Sequence, residues 1–339
     1  NEDVYDVTIE KIHKFNANGI IISNCGEQFL DFYEACDLGA INLFAFVKVD
    51  GDKYYFDFND FRATIRLGIR ALDNVLDLNN YPLKHRDDVS RKISMDNRRI
   101  GLGIMGLADT LMSLGFGYEK SDFLEEVMKV FSETASDESY QIALEKGPFL
   151  SHKVAKNQFK NRRNCCVTTI APTGTTSMLA GVWGGCEPFF GLITKKKTTD
   201  GSGFEYYIVP ESFKMLMSKR KIELTEERFA EIYKNAGSVN GLSWVPEDIQ
   251  KICKTTMDLT WEKHVEVQTL LQKYIENSIS KTINLHKNAT INDAEMAFLG
   301  LWRGGAKGGT IYRDGTRNLQ MMNVGGSEKT KEEEDNSKR

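Results

Sequence analysis

Val4, Tyr5, Val7 and Ile9 are alternating β-type residues, Asn18-Gly19 is a turn signal, and Ile20 to Ile22 follow it, so the first two dozen residues predict a strand, a turn and a second strand. From Cys25 onward the period changes repeatedly between strand and helix. Phe61, Ile65, Ile69, Leu72 and Leu76 recur at steps of three and four, which places one apolar stripe on a helix of about five turns. Ser121 opens a second long helix that Gly147-Pro148 stops. Cys165 to Ala171 is a short β-rich run, Pro172 to Ser177 a polar loop, and the chain turns apolar again at Met178, an order of strand, loop and helix. Val267, Leu270, Leu271 and Tyr274 mark a further helix before the β-type run Thr282 to Leu285. Asn292 with Glu295 reads as a capping box for a helix stopped by Gly304-Gly305, and Gly309 to Arg313 is strand-like again. This alternation predicts an α/β fold, with a barrel as its arrangement. From Gly325 on, GGSEKTKEEEDNSKR has no apolar residue and is expected to be disordered.

Composition narrows the function classes. The 339 residues exceed a small peptide-binding module, and 41% hydrophobic with 27% charged residues is ordinary for a folded chain. Because 44 basic residues face 48 acidic ones, no overall positive field is available for a nucleic acid polymer, and any nucleotide bound is expected to be small. Asn164 to Cys186 runs 23 residues without a formal charge but contains Pro172, four Gly and five Thr, so it reads as buried strand, loop and helix start rather than a membrane span. The N-terminus reads as carrying no signal peptide. Six cysteines, at 25, 36, 165, 166, 186 and 253, are too sparse for a disulfide scaffold and lack the CxxC pairs of a zinc site. A reducing, cytoplasmic location is the expectation.

Three short motifs carry candidate chemistry. Cys25-Gly26-Glu27 follows a strand and spaces a thiol and a carboxylate two residues apart, so an extended backbone points both the same way. An arbitrary CxE triplet is more often a buried cysteine beside a surface glutamate. Cys36, eleven residues on, pairs with Cys25 as a redox couple if the two approach. Pro172, Thr173, Gly174, Thr175, Thr176 and Ser177 offer hydroxyls and backbone N–H groups at a helix start, where a phosphate is favoured, although the Lys of a P-loop is missing and a plain capped helix entry has the same look. Gly101-Leu102-Gly103-Ile104-Met105-Gly106 matches GxGxxG and raises a dinucleotide-binding oxidoreductase as an alternative. Its context opposes that reading: MDNRRI before it makes no buried strand, and Glu125 and Glu126, about 20 residues on, lie in a helical pattern.

Residues 1 to 24 resemble the C-terminal splicing blocks of an intein. VYDVTIEKIHKF is similar to the penultimate block, and NANGIIISN followed by Cys25 to the terminal block and splice junction. The resemblance implies that Asn24 cyclises through its side-chain amide to cut the chain, that Cys25 has by then accepted the upstream segment, and that His13 assists by proton transfer. Ser23 stands where that family usually has histidine, which bears on the rate of cyclisation.

Residues 25 to about 320 resemble the C-terminal half of a ribonucleotide reductase large chain. CGEQFLDFYEACDLGAINL at 25 to 43, DNRRIGLGIMGLADTL at 96 to 111, TTIAPTGTTSMLAG at 168 to 181, SKTINL at 280 to 285 and KGGTIYRDGTR at 307 to 317 carry it, in order. It implies the C-terminal half of a ten-stranded α/β reductase barrel with a catalytic finger loop, divided as intein segment 1–24, half-barrel 25–324 and tail 325–339. Cys25 becomes the thiyl-radical residue, Glu27 the base for the ribose 3′ hydroxyl, Cys36 one thiol of the reducing pair, and 172–177 the substrate phosphate cradle, with GLGIMG part of the barrel. The tyrosine pairs Tyr54-Tyr55 and Tyr206-Tyr207 do not sit where iron-dependent members relay a radical, and KGGTIYRDGTR is closer to the adenosylcobalamin-dependent class. Adenosylcobalamin and a dithiol reductant such as thioredoxin are the implied cofactors. No cysteine follows Cys253, whereas such enzymes often carry a C-terminal cysteine pair that re-reduces the active site, so the expectation is either that the tail was lost or that an external reductant reaches Cys36 directly. The implied partners are a ribonucleotide, an N-terminal reductase half with its intein N-terminal segment, and a second copy in a homodimer. The chain is expected to be a fragment of a longer precursor or the C-terminal partner of a split gene joined by trans-splicing. A splicing segment with an inert passenger is a third reading, opposed by the intact CGE, Cys36 and phosphate loop.

Overall fold

In the computed structural model the described residues are 15–17, 20–22, 26–51, 53–81, 87–153, 161–197 and 205–315. His13, Ser23, Asn24, Cys25, the strand expected over Val4 to Ile9 and the charged tail lie outside them. On either side of residues 18-19, β1 (Phe15–Ala17) and β2 (Ile20–Ile22) pair antiparallel, with Phe15 opposite Ile22.

Five parallel passes in chain order organise the rest. The strand β3 (Leu38–Asn42) pairs with β6 (Gly101–Met105), Leu38 opposite Gly101. Leu102 bridges Thr168 in the third pass, Ile170 bridges Ile279 in the fourth, and β9 (Thr282–Leu285), which continues that fourth pass, pairs with β10 (Thr310–Arg313). Each crossover is long and mostly helical, as parallel pairing requires. Among the described residues β3 and β10 have a strand neighbour on one side only.

The first crossover holds a hairpin, β4 (Val47–Asp50) with β5 (Lys53–Phe56), then α1 (Phe58–Leu78) and α2 (Asp87–Asn97). The predicted stripe is the buried one: Phe61, Ile65, Ile69, Leu72 and Leu76 all face the core. Asp57 caps α1 by accepting from the Asn59 and Asp60 amides. After β6 come α3 (Leu107–Leu114) and α4 (Asp122–Lys146), the latter opened by the Ser121 side chain and closed at Gly147 with φ 84°. Beneath α1 and α4, the fully buried Asp73 accepts from Arg98 Nε at 2.8 Å and Asn164 Nδ2 at 3.1 Å. Between the third and fourth passes lie α5 (Gly174–Leu179), the hairpin β7 (Thr194–Lys197) with β8 (Glu205–Ile208), and the helices α6 (Glu211–Lys219), α7 (Glu226–Lys234), α8 (Glu247–Ile252) and α9 (Trp261–Gln272). The chargeless stretch 164–186 is thus divided among strand, turn and short helix, and no described helix is long and apolar enough to cross a membrane.

The last helix, α10 (Ile291–Arg303), corrects one expectation. Its cap is Thr290 with Asp293, not Asn292 with Glu295: Asp293 Oδ2 accepts from the Thr290 amide at 2.7 Å while Thr290 Oγ1 accepts from the Asp293 amide at 3.2 Å. The Thr-x-x-Asp pair two residues earlier satisfies the same reciprocal bonds, and a hydroxyl cap with extended φ and ψ starts the helix there.

Asp109 on α3 joins this helical layer to the third crossover, accepting from Trp183 N at 2.7 Å and Ser212 Oγ at 2.8 Å. Burial pushes its carboxyl up to about 6, against the lowering effect of those two bonds. A carboxyl that holds its proton more tightly folded than unfolded contributes stability fully below about pH 4, and that contribution is lost as pH rises through about 6. Urea midpoints measured from pH 4 to 8 are therefore expected to lose part of their downward trend in Asp109→Asn; an unchanged slope would remove Asp109 as its source.

Candidate active site

The segment 26–37 is tied by its backbone to the second, third and fourth passes, through Asp37 to Gly101 and through Glu27 to Thr169 and Ser278. Gly26 takes φ 78°, which brings the next residue inward. The Glu27 carbonyl accepts from Ser278 N of the fourth pass at 2.9 Å and from the Thr169 hydroxyl of the third at 2.6 Å. With its main chain pinned, the Glu27 side chain is buried, and its Oε2 has no hydrogen-bond partner among the described residues. Gln28 Nε2 and Ser278 Oγ are buried and unpartnered in the same sense. Buried polar atoms are rarely left without a bond.

Cys36 is exposed and its thiol donates to Gln28 Oε1 at 3.4 Å. This contact ties the second thiol of the sequence reading to the loop carrying Glu27. Next to it, Asp37 is raised to about 6, first by burial and then by the charge of Asp73.

The GLGIM run is itself a strand, buried over all five residues. Its glycines serve packing: a Cβ on Gly101 would stand 2.4 Å from Gln28 Nε2, and one on Gly103 2.6 Å from the Thr169 carbonyl. The amides of Gly101 and Leu102 donate to Asp37 O and Val167 O, so they are not free to wrap a pyrophosphate. That geometry removes the dinucleotide-binding alternative.

Three residues beyond Thr169 the chain enters Pro172–Ser177. Thr173 sits at φ 52°, and its Oγ1 accepts from Gly185 N at 2.7 Å, which folds the turn against residues 184–185. No side chain caps the start of α5, and Gly174, Thr175 and Thr176 are exposed while Ser177 is buried. The first turn of α5 therefore lies at the surface with no side-chain cap on its amides. A Cβ on Gly174 would meet nothing within 4 Å, so this glycine answers no crowding within the chain itself.

Behind the loop lies a charged cluster that sequence reading missed. Lys281, at the head of β9, has a fully buried side chain and donates to Glu187 Oε2 at 2.9 Å and to the Thr282 carbonyl at 2.9 Å. Its third contact is His264 Nδ1 at 3.0 Å. Burial, and then the Lys281 ammonium, push His264 down to about 3, so it is neutral and accepts there. Glu187 Oε1 also accepts from Thr282 N at 2.5 Å. Since Glu187 follows Gly184-Gly185, the pair fixes the underside of the 172–177 turn to the fourth pass.

The family model described as ribonucleotide reductase, barrel domain, matches residues 4–162 and 155–312. The chain belongs to the ribonucleotide reductase barrel-domain family. Among curated relatives, the vitamin B12-dependent ribonucleoside-diphosphate reductase of Thermoplasma acidophilum is 34% identical over 316 residues, 91% of this chain and 40% of that protein. The enzyme of the same name from Mycobacterium tuberculosis (strain CDC 1551 / Oshkosh) is 32% identical over 302 residues, 88% of this chain and 42% of its own length. The chain thus spans well under half of either relative. The solved Actinobacillus ureae class Id ribonucleotide reductase alpha subunit matches with TM-score 0.70 and 21% identity over 86% of this chain and 52% of that one, a likeness of fold. The reductase barrel match also begins within the segment that resembles an intein.

Proposed function

We propose that this chain is the C-terminal part of an adenosylcobalamin-dependent ribonucleotide reductase, joined by protein splicing to an upstream half and active once joined. The observation that carries the reading is the Glu27 carbonyl pinned by Thr169 and Ser278, with a buried side-chain oxygen on the same residue that has no partner among the described residues. An unpartnered Glu27 oxygen suits a hydroxyl donor, and the hydroxyls of a ribose can supply one. The printed names of the B12-dependent relatives support the cofactor, which would supply, when bound, the radical passed to Cys25. No described contact selects residues for the cobalamin ring, and the chemistry assigned here belongs to the chain itself.

In that chemistry the Cys25 sulfur takes the 3′ hydrogen and Glu27 takes the 3′ hydroxyl proton. Deprotonation eases departure of the 2′ hydroxyl, which leaves as water after accepting a proton from the reducing thiols. Cys36 and a partner cysteine in the upstream half supply two electrons and two protons, one proton to the leaving 2′ hydroxyl and one to C2′, and close a disulfide; Glu27 then returns its proton to the 3′ oxygen and Cys25 its hydrogen to C3′. The amides of Gly174, Thr175 and Thr176, with the hydroxyls of Thr173 and Ser177 and the stiff Pro172 before them, hold the substrate phosphates. An external dithiol such as thioredoxin then reopens the disulfide.

Splicing rests on the residues of the first segment: Asn24 cuts, Cys25 accepts and His13 transfers a proton. The test is reconstitution. Mixed with an upstream reductase half bearing the complementary intein segment, the chain is expected to give a ligated product that converts ribonucleotide to deoxyribonucleotide in the presence of adenosylcobalamin and dithiol. Asn24→Ala is expected to give no ligation. Equal ligation by both would sink the splicing reading, and a ligated but inactive wild type would sink the reductase reading.

A further inference from the structure

Cys165 and Cys166 are adjacent thiols at the entry to the third pass, outside the proposed site. Both are half-buried. Their backbone is fixed on either side, Cys165 N donating to Asn97 O at 3.0 Å and Cys166 O accepting from Ile100 N at 3.1 Å. Arg99 Nη1 lies 3.4 Å from Cys166 Sγ, and the guanidinium is held there by Glu34 Oε2 at 3.0 Å and Asn277 Oδ1 at 3.3 Å. On the other side Arg162 makes a two-point pair with Glu276, whose Oε2 also accepts from Val167 N at 2.9 Å. A fixed cation beside one of two neighbouring sulfurs is the arrangement that makes a thiol nucleophilic and gives it a resolving partner.

We propose that Cys165 and Cys166 form a thiol–disulfide exchange site for low-molecular-weight disulfides, with Cys166 as the attacking sulfur and Cys165 as the resolving one. The Cys166 thiolate attacks one sulfur of the disulfide R–S–S–R, forms a Cys166–S–S–R mixed disulfide and expels RS⁻. The Cys165 thiol then attacks the Cys166 sulfur, closes Cys165–S–S–Cys166 and releases the second RSH, which carries the Cys165 proton. One disulfide is reduced to two thiols while the two cysteines are oxidised. The site stands independently of the reductase reading, since it needs neither Cys25 nor substrate.

Electrostatics agree with these roles. The hydrogen bond from the Cys165 thiol, and after it the Arg99 and Arg162 charges, hold Cys166 below a cysteine's ordinary range against burial and Glu276. Cys165 is pushed up, first by that same hydrogen bond, then by burial, and also by the Cys166 and Glu34 charges, against Arg99. The low thiol is therefore the one beside the guanidinium.

The test uses the full chain with Cys25→Ser and Cys36→Ser, and 4,4′-dithiodipyridine as the disulfide. The fully buried Cys186 and Cys253 report folding, because they react only when the chain opens. The parent is expected to release two equivalents of pyridinethione in a fast phase. Adding Cys165→Ser should leave one equivalent and a mixed disulfide visible by intact mass, and Cys166→Ser should abolish the fast phase. Arg99→Leu should slow it on the order of tenfold and move its pH midpoint upward, with Arg99→Lys restoring much of the rate. A fast phase that survives Cys166→Ser, a single equivalent from the parent, or a midpoint indifferent to Arg99→Leu would each overturn the assignment.

Discussion

A spliced reductase carrying Glu27→Gln is expected to form deoxyribonucleotide roughly 10² to 10⁴ times more slowly than wild type, the usual contribution of a positioned base. Nucleotide affinity should hold, because glutamine keeps the size of the side chain and the backbone carbonyl that Thr169 and Ser278 grip is unaltered. Cys25→Ser is expected to go further and give no product, although its hydroxyl still accepts an acyl group and allows some splicing. The serine O–H bond is too strong to exchange hydrogen readily with the radical source. Single-turnover product analysis alongside calorimetric binding separates these outcomes. Near-wild-type turnover by spliced Cys25→Ser would refute the thiyl-radical role and the reductase proposal with it.

The second large effect concerns stability. Removing the carboxylate in Glu187→Ala leaves the Lys281 ammonium, whose side chain is fully buried, without a counter-charge, its remaining contacts among the described residues being His264, the Thr282 carbonyl and the Tyr118 ring at 5.8 Å. Breaking a buried pair from one side typically costs about 3–5 kcal/mol, since the remaining charge is not resolvated. Urea unfolding of the variant should show a loss of that order, and Glu187→Leu with Lys281→Met should recover most of it. A double variant no more stable than Glu187→Ala would mean that the cost lies in lost packing and in the Thr282 amide rather than in the stranded charge.

What could be read in advance was what is local. The α1 stripe and the limits of α4 follow from side-chain spacing, a serine cap and a glycine stop, all within a few residues of the structure they determine. The β4–β5 hairpin has a local signal of the same kind in Asp50-Gly51. By contrast β6 is a poor strand by propensity, with two glycines in five residues. It is strand because it pairs with β3 and bonds the third pass, its glycines fit because Gln28 and Thr169 lie where a Cβ would clash, and only family resemblance placed it in the barrel. The capping pair expected at Asn292 and Glu295 lost to a neighbouring Thr-Asp pair of the same chemistry. Within the candidate site, Glu27 and Cys36 were named from their motif, while Thr169 and Ser278 went unremarked because nothing in their own neighbourhoods points to a carbonyl so distant in the chain. The same distance hid Glu187 from Lys281 and Arg99 from Cys166. The phosphate turn was legible as a helix entry, but the openness around Gly174 shows that valine there would not be crowded by the chain itself.

The grip on Glu27 also sets an order of events during synthesis. Its anchors are made 142 residues later, at Thr169, and later still at Ser278. At about 5–20 residues per second, Glu27 is translated roughly 7 to 28 s before Thr169 and roughly 13 to 50 s before Ser278. Throughout that interval the emerging loop lacks both partners for its carbonyl. The anchored geometry of this loop is therefore a late product of translation, and a ribosome that stalls before Ser278 leaves a nascent chain with Glu27 present but its second anchor unmade.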